Sequence, residues 1–211
     1  MLSQDNLPRS FQANIDRFYR NVIHSTLSVL PVHPELRFGK AESIEISLDM
    51  ARAQTENHTA NEAAKAFALV LAGLFERQMR IWIRSRRPIN LHPKISDLQF
   101  KVLLAECALD AKVDLAAHRL GHILEEMFLV ANVFRHGDGR SSKNLSDHSP
   151  ELWNYHDSRY RDILPVNSDE SEKLLLQPRD LARYATACSR FWGNADKLDG
   201  AVEVIEYEQV L

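Results

Sequence analysis

The residues best suited to chemistry lie between Ala117 and Arg140, where AHRLGHILEEMFLVANVFRHGDGR carries titratable groups into a glycine-punctuated turn. At about 100° per residue, His118, His122, Glu125, Leu129, Asn132 and His136 fall on one helical stripe. Leu120, Ile123, Leu124, Met127, Ala131 and Phe134 fall on the other side, which the pattern assigns to the core. Imidazoles titrate near neutrality and exchange protons with a substrate. Set in a cleft or a symmetric dimer seam, this stripe suits acid–base work; set in solvent, it is a hydrated face rich in His.

At the end of the stripe Arg135 and His136 meet Asp138 and Arg140 in the turn. A guanidinium there can hold a phosphate, and the imidazole can move a proton. Metal-independent RNA cleavage needs a base for the ribose 2′-hydroxyl, an acid for the leaving oxygen and a cation for charge developing on phosphorus. One His per subunit, doubled across a dimer axis, could supply both proton transfers. The plainer alternative pairs Arg135 with a carboxylate such as Glu76 or Asp110 and leaves Gly137 and Gly139 as a helix stop.

Arg77, Arg80, Arg84 and Arg87 recur along one side of another helix, a second place to track a phosphate backbone or simply a solvated face. His118, His122 and Glu125 have a spacing that could converge on a divalent metal. The zincin pattern, however, has Glu directly after the first His, and Arg119 stands there. No metal and no cofactor is therefore expected.

The elements that must position these groups are helices. Seven glycines in 211 residues, with long Ala- and Leu-rich runs, predict an all-α fold, a bundle of about five to six helices with a long polar loop between the last two core helices. After Pro8, the stripe Phe11, Ile15, Phe18, Val22 predicts a first helix that Pro31 and Pro34 stop. Ile44, Ile46, Leu48 and Met50 alternate as a strand would, yet the MARAQ that follows favours helix, and helix is the expectation. Thr59 and Glu62 read as a capping box opening a long helix from about Asn61 to Arg86. Ser96 and Gln99 read as another, opening a helix through Ala111, and Asp114 can cap the next, running to about His136. Residues 137–173 are polar, with an aromatic patch at Trp153, Tyr155 and Tyr160, and read as a loop containing a short helix. Pro178 and Asp180 start a last core helix through Leu181, Tyr184, Cys188 and Phe191, with Gly193 and Asn194 at its end. The tail AVEVIEYEQVL could be an edge strand, a frayed helix or a partner-binding segment. In outline, residues 1–58 are N-terminal helices packing on the bundle, 59–198 the helical core, and 199–211 an acidic tail.

The chain is long enough to bury a core without disulfides or metal. Lys and Arg number 26 against 29 Asp and Glu, a net charge of -3. That balance argues against a surface wholly given to nucleic acid or membrane, so partners must be read locally. Cys107 and Cys188 sit in apolar helical patterns and read as core. No secretory signal or membrane-length apolar run is present, and a soluble, reducing, cytoplasmic setting is expected.

The segment ANVFRHGDG, Ala131 to Gly139, resembles the signature of the HEPN (higher eukaryotes and prokaryotes nucleotide-binding) superfamily, in which an Arg, often followed by Asn, precedes a His by four to six residues at the end of a core helix. Asn132 and His136 match; Ala131 stands where the family has Arg. The likeness covers about residues 60 to 195, including the loop after the motif, the Leu174 to Gln177 run and a final helix carrying FW. It implies a compact helical bundle, often dimeric, of a kind that includes metal-independent ribonucleases of toxin–antitoxin and anti-phage systems. Under it, His136, Arg135 and Asn132 are the expected catalytic residues, and Asp138, Arg140, Arg77, Arg80 and Arg84 the expected substrate contacts. RNA, a second copy of the chain, and a protein partner such as an antitoxin are the expected partners. The departure at Ala131 leaves two readings: Arg135 supplies the cation from a shifted position, or the domain is a non-catalytic interaction or regulatory subunit.

Overall fold

The computed structural model describes residues 4–33, 36, 41–153 and 170–207. The described residues are helices and turns with no strand among them, the all-α architecture expected from the composition. Helix α1 (Leu7–Phe18), with Pro8 in its first turn, continues through a π-helical stretch, Tyr19–His24, into α2 (Ser25–Leu27). A π turn holds an extra residue, so the inward positions come four apart: Ile15, Tyr19, Ile23 and Leu27 are buried. The expected stripe is thereby re-indexed. Ile15 keeps its place, Phe11 and Phe18 are partly buried against the core, and Val22 is exposed.

Helix α3 (Ile44–Ser85) has 42 residues, about 63 Å of continuous helix. Its cap is Ser43, whose Oγ accepts from the Ile46 N–H at 3.2 Å. The expected capping box at Thr59 and Glu62 does not form. Thr59 Oγ1 donates back to the Thr55 carbonyl at 2.8 Å and Glu62 pairs with Lys65 at 2.7 Å, so the helix runs through this point unbroken. The alternation at Ile44 to Met50 is helical too, with Ile44 and Leu48 exposed. Little tertiary packing acts on that arm, and the good helix formers that follow decide its conformation.

Then come α4 (His92–Ser96), α5 (Phe100–Ala111), α6 (Leu120–His136), α7 (Arg140–His148) and α8 (Pro178–Ala195). Helix α6 lies against α3, α7 and α8, while α8 also packs on α1. Ser96 is not a cap: its Oγ donates to the His92 carbonyl at 3.2 Å. Asp114 caps a tight turn rather than α6, accepting from the Ala116 N–H at 2.8 Å. The chain then passes through His118 and Arg119 with φ of 53° and 56°, and the cap of α6 is Arg119, five residues later than the expected Asp114.

The start of α8 is as expected, with Pro178 in its first turn and the Asp180 carboxylate accepting from the Gln177 N–H at 2.9 Å. Gly193 does not end it. The backbone of the tail crosses α8 there, and a Cβ on Gly193 would overlap the Val202 and Glu203 carbonyl oxygens. Up to Tyr207 the tail is neither strand nor helix. It is pinned by Gln12 Nε2 donating to the Val202 carbonyl (2.8 Å) and by the Ile205 N–H donating to Ser189 Oγ (2.9 Å), and it buries the Tyr207 ring 4.3 Å from that of Tyr19.

Trp192 forms the centre of the core, its ring 4.8 Å from Phe11, 5.8 Å from Phe75 and 6.2 Å from Trp82. Its Nε1–H donates to Gln78 Oε1 at 2.8 Å, so the one polar atom of the indole is satisfied. Cys107 and Cys188 are fully buried, which pushes the Cys107 thiol up to about 12 and Cys188 up as well, as core residues should be. Among the described residues no helix is long and apolar enough to cross a membrane.

Candidate functional site

The last turn of α6 presents Arg135 and His136 to solvent, and neither side chain makes a hydrogen bond or ion pair with another described residue. The proposed alternative partners of Arg135 are committed elsewhere, Glu76 to Arg80 at 2.6 Å and Asp110 to Arg87 at 2.8 Å. Gly137 (φ 69°) and Gly139 (φ 137°) make the reversal into α7, in backbone regions that a β-carbon disfavours. Helix α7 begins at Arg140 with Gly139 as its N-cap and no side-chain cap. The first N–H groups of α7 therefore lack an intrahelical acceptor, next to exposed Arg135, His136, Arg140 and Lys143. Asn132, half-buried, lies one turn before His136 on the same face.

One residue of the motif is placed differently from the expectation, and Ala131 lies on the core side where the helical pattern put it. Asp138 Oδ1 accepts from the Ser171 N–H at 2.7 Å, which ties the corner to the segment preceding α8. Ala131 is 2% exposed and belongs to the core, so the position where the resemblance has Arg faces inward.

The remaining members of the stripe do not converge. His118 leaves the helix in the left-handed turn, and Glu125 pairs with Lys101 at 2.9 Å. His122 stacks on His148 of α7, ring centroids 4.0 Å apart and planes 20° apart, with His148 Nε2 3.1 Å from the His122 carbonyl. Among the described residues no group of three His, Cys, Asp or Glu is arranged to hold a metal ion. The His122 Nε2 atom is buried with no hydrogen-bond partner among the described residues.

Burial, then the neighbouring His148 and Arg119, hold the His122 pKa below its ordinary value, against the smaller pull of Glu126 and Glu151. A depressed folded-state pKa means that the unfolded chain binds the proton first. Stability is then full above the unfolded value near 6.5 and falls as pH drops below it, levelling off once the folded state also protonates. Melting temperature measured from pH 8 to 5 should show this decline, and His122→Gln should flatten it; an unchanged profile in the variant would sink the assignment.

Glu126 was not singled out from the sequence, and it is the most heavily engaged side chain of α6. It is 0% exposed. Tyr184 Oη donates to Oε1 at 2.6 Å, Ser149 Oγ to Oε2 at 2.7 Å, and the Arg183 guanidinium bonds both oxygens. Burial alone raises this carboxyl, but Arg183 with the two hydroxyls outweighs it and leaves the pKa below the ordinary carboxylate range. Burial and the adjoining Glu126 charge push Tyr184 well above 10. The available signal was position: of the pair Glu125 and Glu126, the second falls on the Met127, Val130 side of the helix.

Of the arginines on α3, Arg80 donates to the Ser96 carbonyl (3.0 Å) and the Leu98 carbonyl (2.9 Å), and Arg84 bonds Ser96 Oγ. These two fasten α4 and the following turn to α3. Arg77 alone of the three expected contacts on this helix is an exposed side chain. Tyr155 and Tyr160 of the aromatic patch lie outside the described residues. Comparison of the chain with protein-family models, curated proteins and solved structures finds no match.

Proposed function

We propose that this chain is an RNA-directed, HEPN-like helical bundle whose reactive edge is the corner between α6 and α7. The observation that carries the reading is the exposed and unengaged Arg135–His136 couple beside the uncapped first turn of α7. Helix N-termini favour phosphate oxygens, and Arg135 and Arg140 add the cations that a phosphodiester requires. His136 takes the 2′-hydroxyl proton, the 2′-oxygen attacks phosphorus, the bond to O5′ breaks, and O5′ leaves with a proton from the second imidazole of a homodimer. The products are a 2′,3′-cyclic phosphate and a 5′-hydroxyl. Asn132, on the same face as His136, orients the imidazole or the substrate. A cytoplasmic toxin–antitoxin or anti-phage role, with an antitoxin partner, extends this reading by resemblance.

Labelled tRNA and total RNA incubated with the protein in chelator test it. Cleavage should occur and should fall by about 10²–10⁴-fold in His136→Ala, the range for loss of an acid–base group. The second reading, a non-catalytic interaction or regulatory subunit, is favoured by the buried Ala131, which leaves no cation at the position where the resemblance has Arg. Absence of cleavage by the unmodified protein would decide for it.

A further inference from the structure

A cleft of about 430 Å³ opens on the opposite flank of α6, between its first turns, α8 and the tail. Leu120 and Ile123 form one wall, and Arg183, Thr186 and Arg190 line the other. These three positions of α8 are three and four residues apart, one face of the helix over about 10 Å. The left-handed turn brings His118 to the mouth.

The two arginines differ in how they are held. Arg183 is anchored by the buried Glu126 carboxylate and lies 3.6 Å from the Asp180 carboxylate, which also lines the cleft, and these contacts use only part of its five N–H groups. The Arg190 side chain is only 14% exposed, yet among the described residues its guanidinium makes no hydrogen bond. Its partners are Glu203 Oε1 at 3.5 Å and Glu206 Oε1 at 3.6 Å, on side chains that are 65% and 76% exposed. A guanidinium on so largely buried a side chain, its nitrogens still open to the cleft, is well placed to take close, directed acceptors. Two long contacts to solvated carboxylates do not supply them, and exposed pairs of this kind are cheap to displace.

We propose that this cleft is a binding site for a small phosphorylated molecule, its phosphate seated on Arg190, Thr186 and Arg183 in place of the Glu203 and Glu206 carboxylates, and its apolar part against Leu120 and Ile123. Phosphate fits because its oxygens can take several guanidinium N–H groups and the Thr186 hydroxyl at once. The volume of about 430 Å³ suits a small molecule rather than a polymer strand. The tail is then a resident competitor, its carboxylates occupying the cations until a more strongly charged anion arrives.

Calorimetric titration of the full chain with inorganic pyrophosphate at fixed ionic strength tests the site, with citrate as a non-phosphate polyanion. Saturable binding is expected, weaker by about tenfold or more in Arg190→Gln, as for loss of a charge-assisted contact. The double variant Glu203→Gln, Glu206→Gln should bind about two- to fivefold tighter, the worth of one or two exposed ion pairs. This second variant keeps the test decisive if Arg190→Gln does not fold. No saturable binding up to about 10 mM, or binding that the carboxylate substitutions leave unchanged or weaken, overturns the proposal. Citrate binding as tightly as pyrophosphate overturns the phosphate assignment.

Discussion

Replacing Glu126 by Ala should cost the fold about 3–5 kcal/mol, the usual penalty for removing one partner of a buried ion pair. The loss has three parts. The Arg183 guanidinium, one-third exposed, loses its close acceptors and keeps only Asp180 at 3.6 Å, while the Tyr184 and Ser149 hydroxyls each lose their acceptor inside the core. Tyr184 and Ser149 are fully buried, so water does not readily replace what is lost. Urea unfolding followed by circular dichroism gives the number directly. Glu126→Gln retains an acceptor for Tyr184 and should lose less. Substituting Glu126 and Arg183 together by apolar residues should recover part of the loss, since no orphaned charge remains. A cost under about 1 kcal/mol for Glu126→Ala would mean that the pair behaves as a surface salt bridge.

Trp192→Ala is expected to have an effect of the same size, about 3–5 kcal/mol, by a different route. Deleting the indole leaves a cavity bounded by Phe11, Phe75, Phe191 and Trp82, which belong to three helices and cannot all move inward together. Gln78 also loses its donor, although its amide retains Asn14 at 3.1 Å. Trp192→Phe keeps most of the volume and should cost much less, with the unpaired Gln78 oxygen as the main penalty. Equal losses for the two variants would show that the hydrogen bond, not the packing, dominates.

Those two residues also mark what could be read from the sequence. The all-α class, the last core helix and its Pro178 start were legible because apolar period and capping residues agree there. Helix starts elsewhere were not. Thr59 and Ser96 have the right neighbours for capping boxes, but a Thr or Ser within a helix can bond the carbonyl four residues back, as both do here. Only tertiary context separates the two uses.

The same distinction governs the site. Arg135 and His136 at a glycine-marked corner were legible, because local chain geometry places them. Arg80 and Arg84 looked like Arg135 on a helical wheel, and they became structural because α4 folds back over them. Glu126 was hidden for the converse reason. A charged residue in an amphipathic run reads as solvent-facing until its partners, 57 and 58 positions downstream, are known. The π turn in the first helix was equally silent, since one extra residue shifts which side chains point inward without changing composition.

The packing of α1 on α8 has a consequence for how the chain is made. About 160 residues separate Phe18 from Pro178, so α1 leaves the ribosome long before its main partner exists. At ~5–20 residues per second the delay is roughly 8–30 s. Through that interval Ile15, Tyr19 and Ile23 lack the surface that buries them, and the wait greatly exceeds the time in which an isolated helix forms or melts. The newborn chain must therefore shelter this apolar stripe by transient collapse or by a holdase until α8 docks on α1.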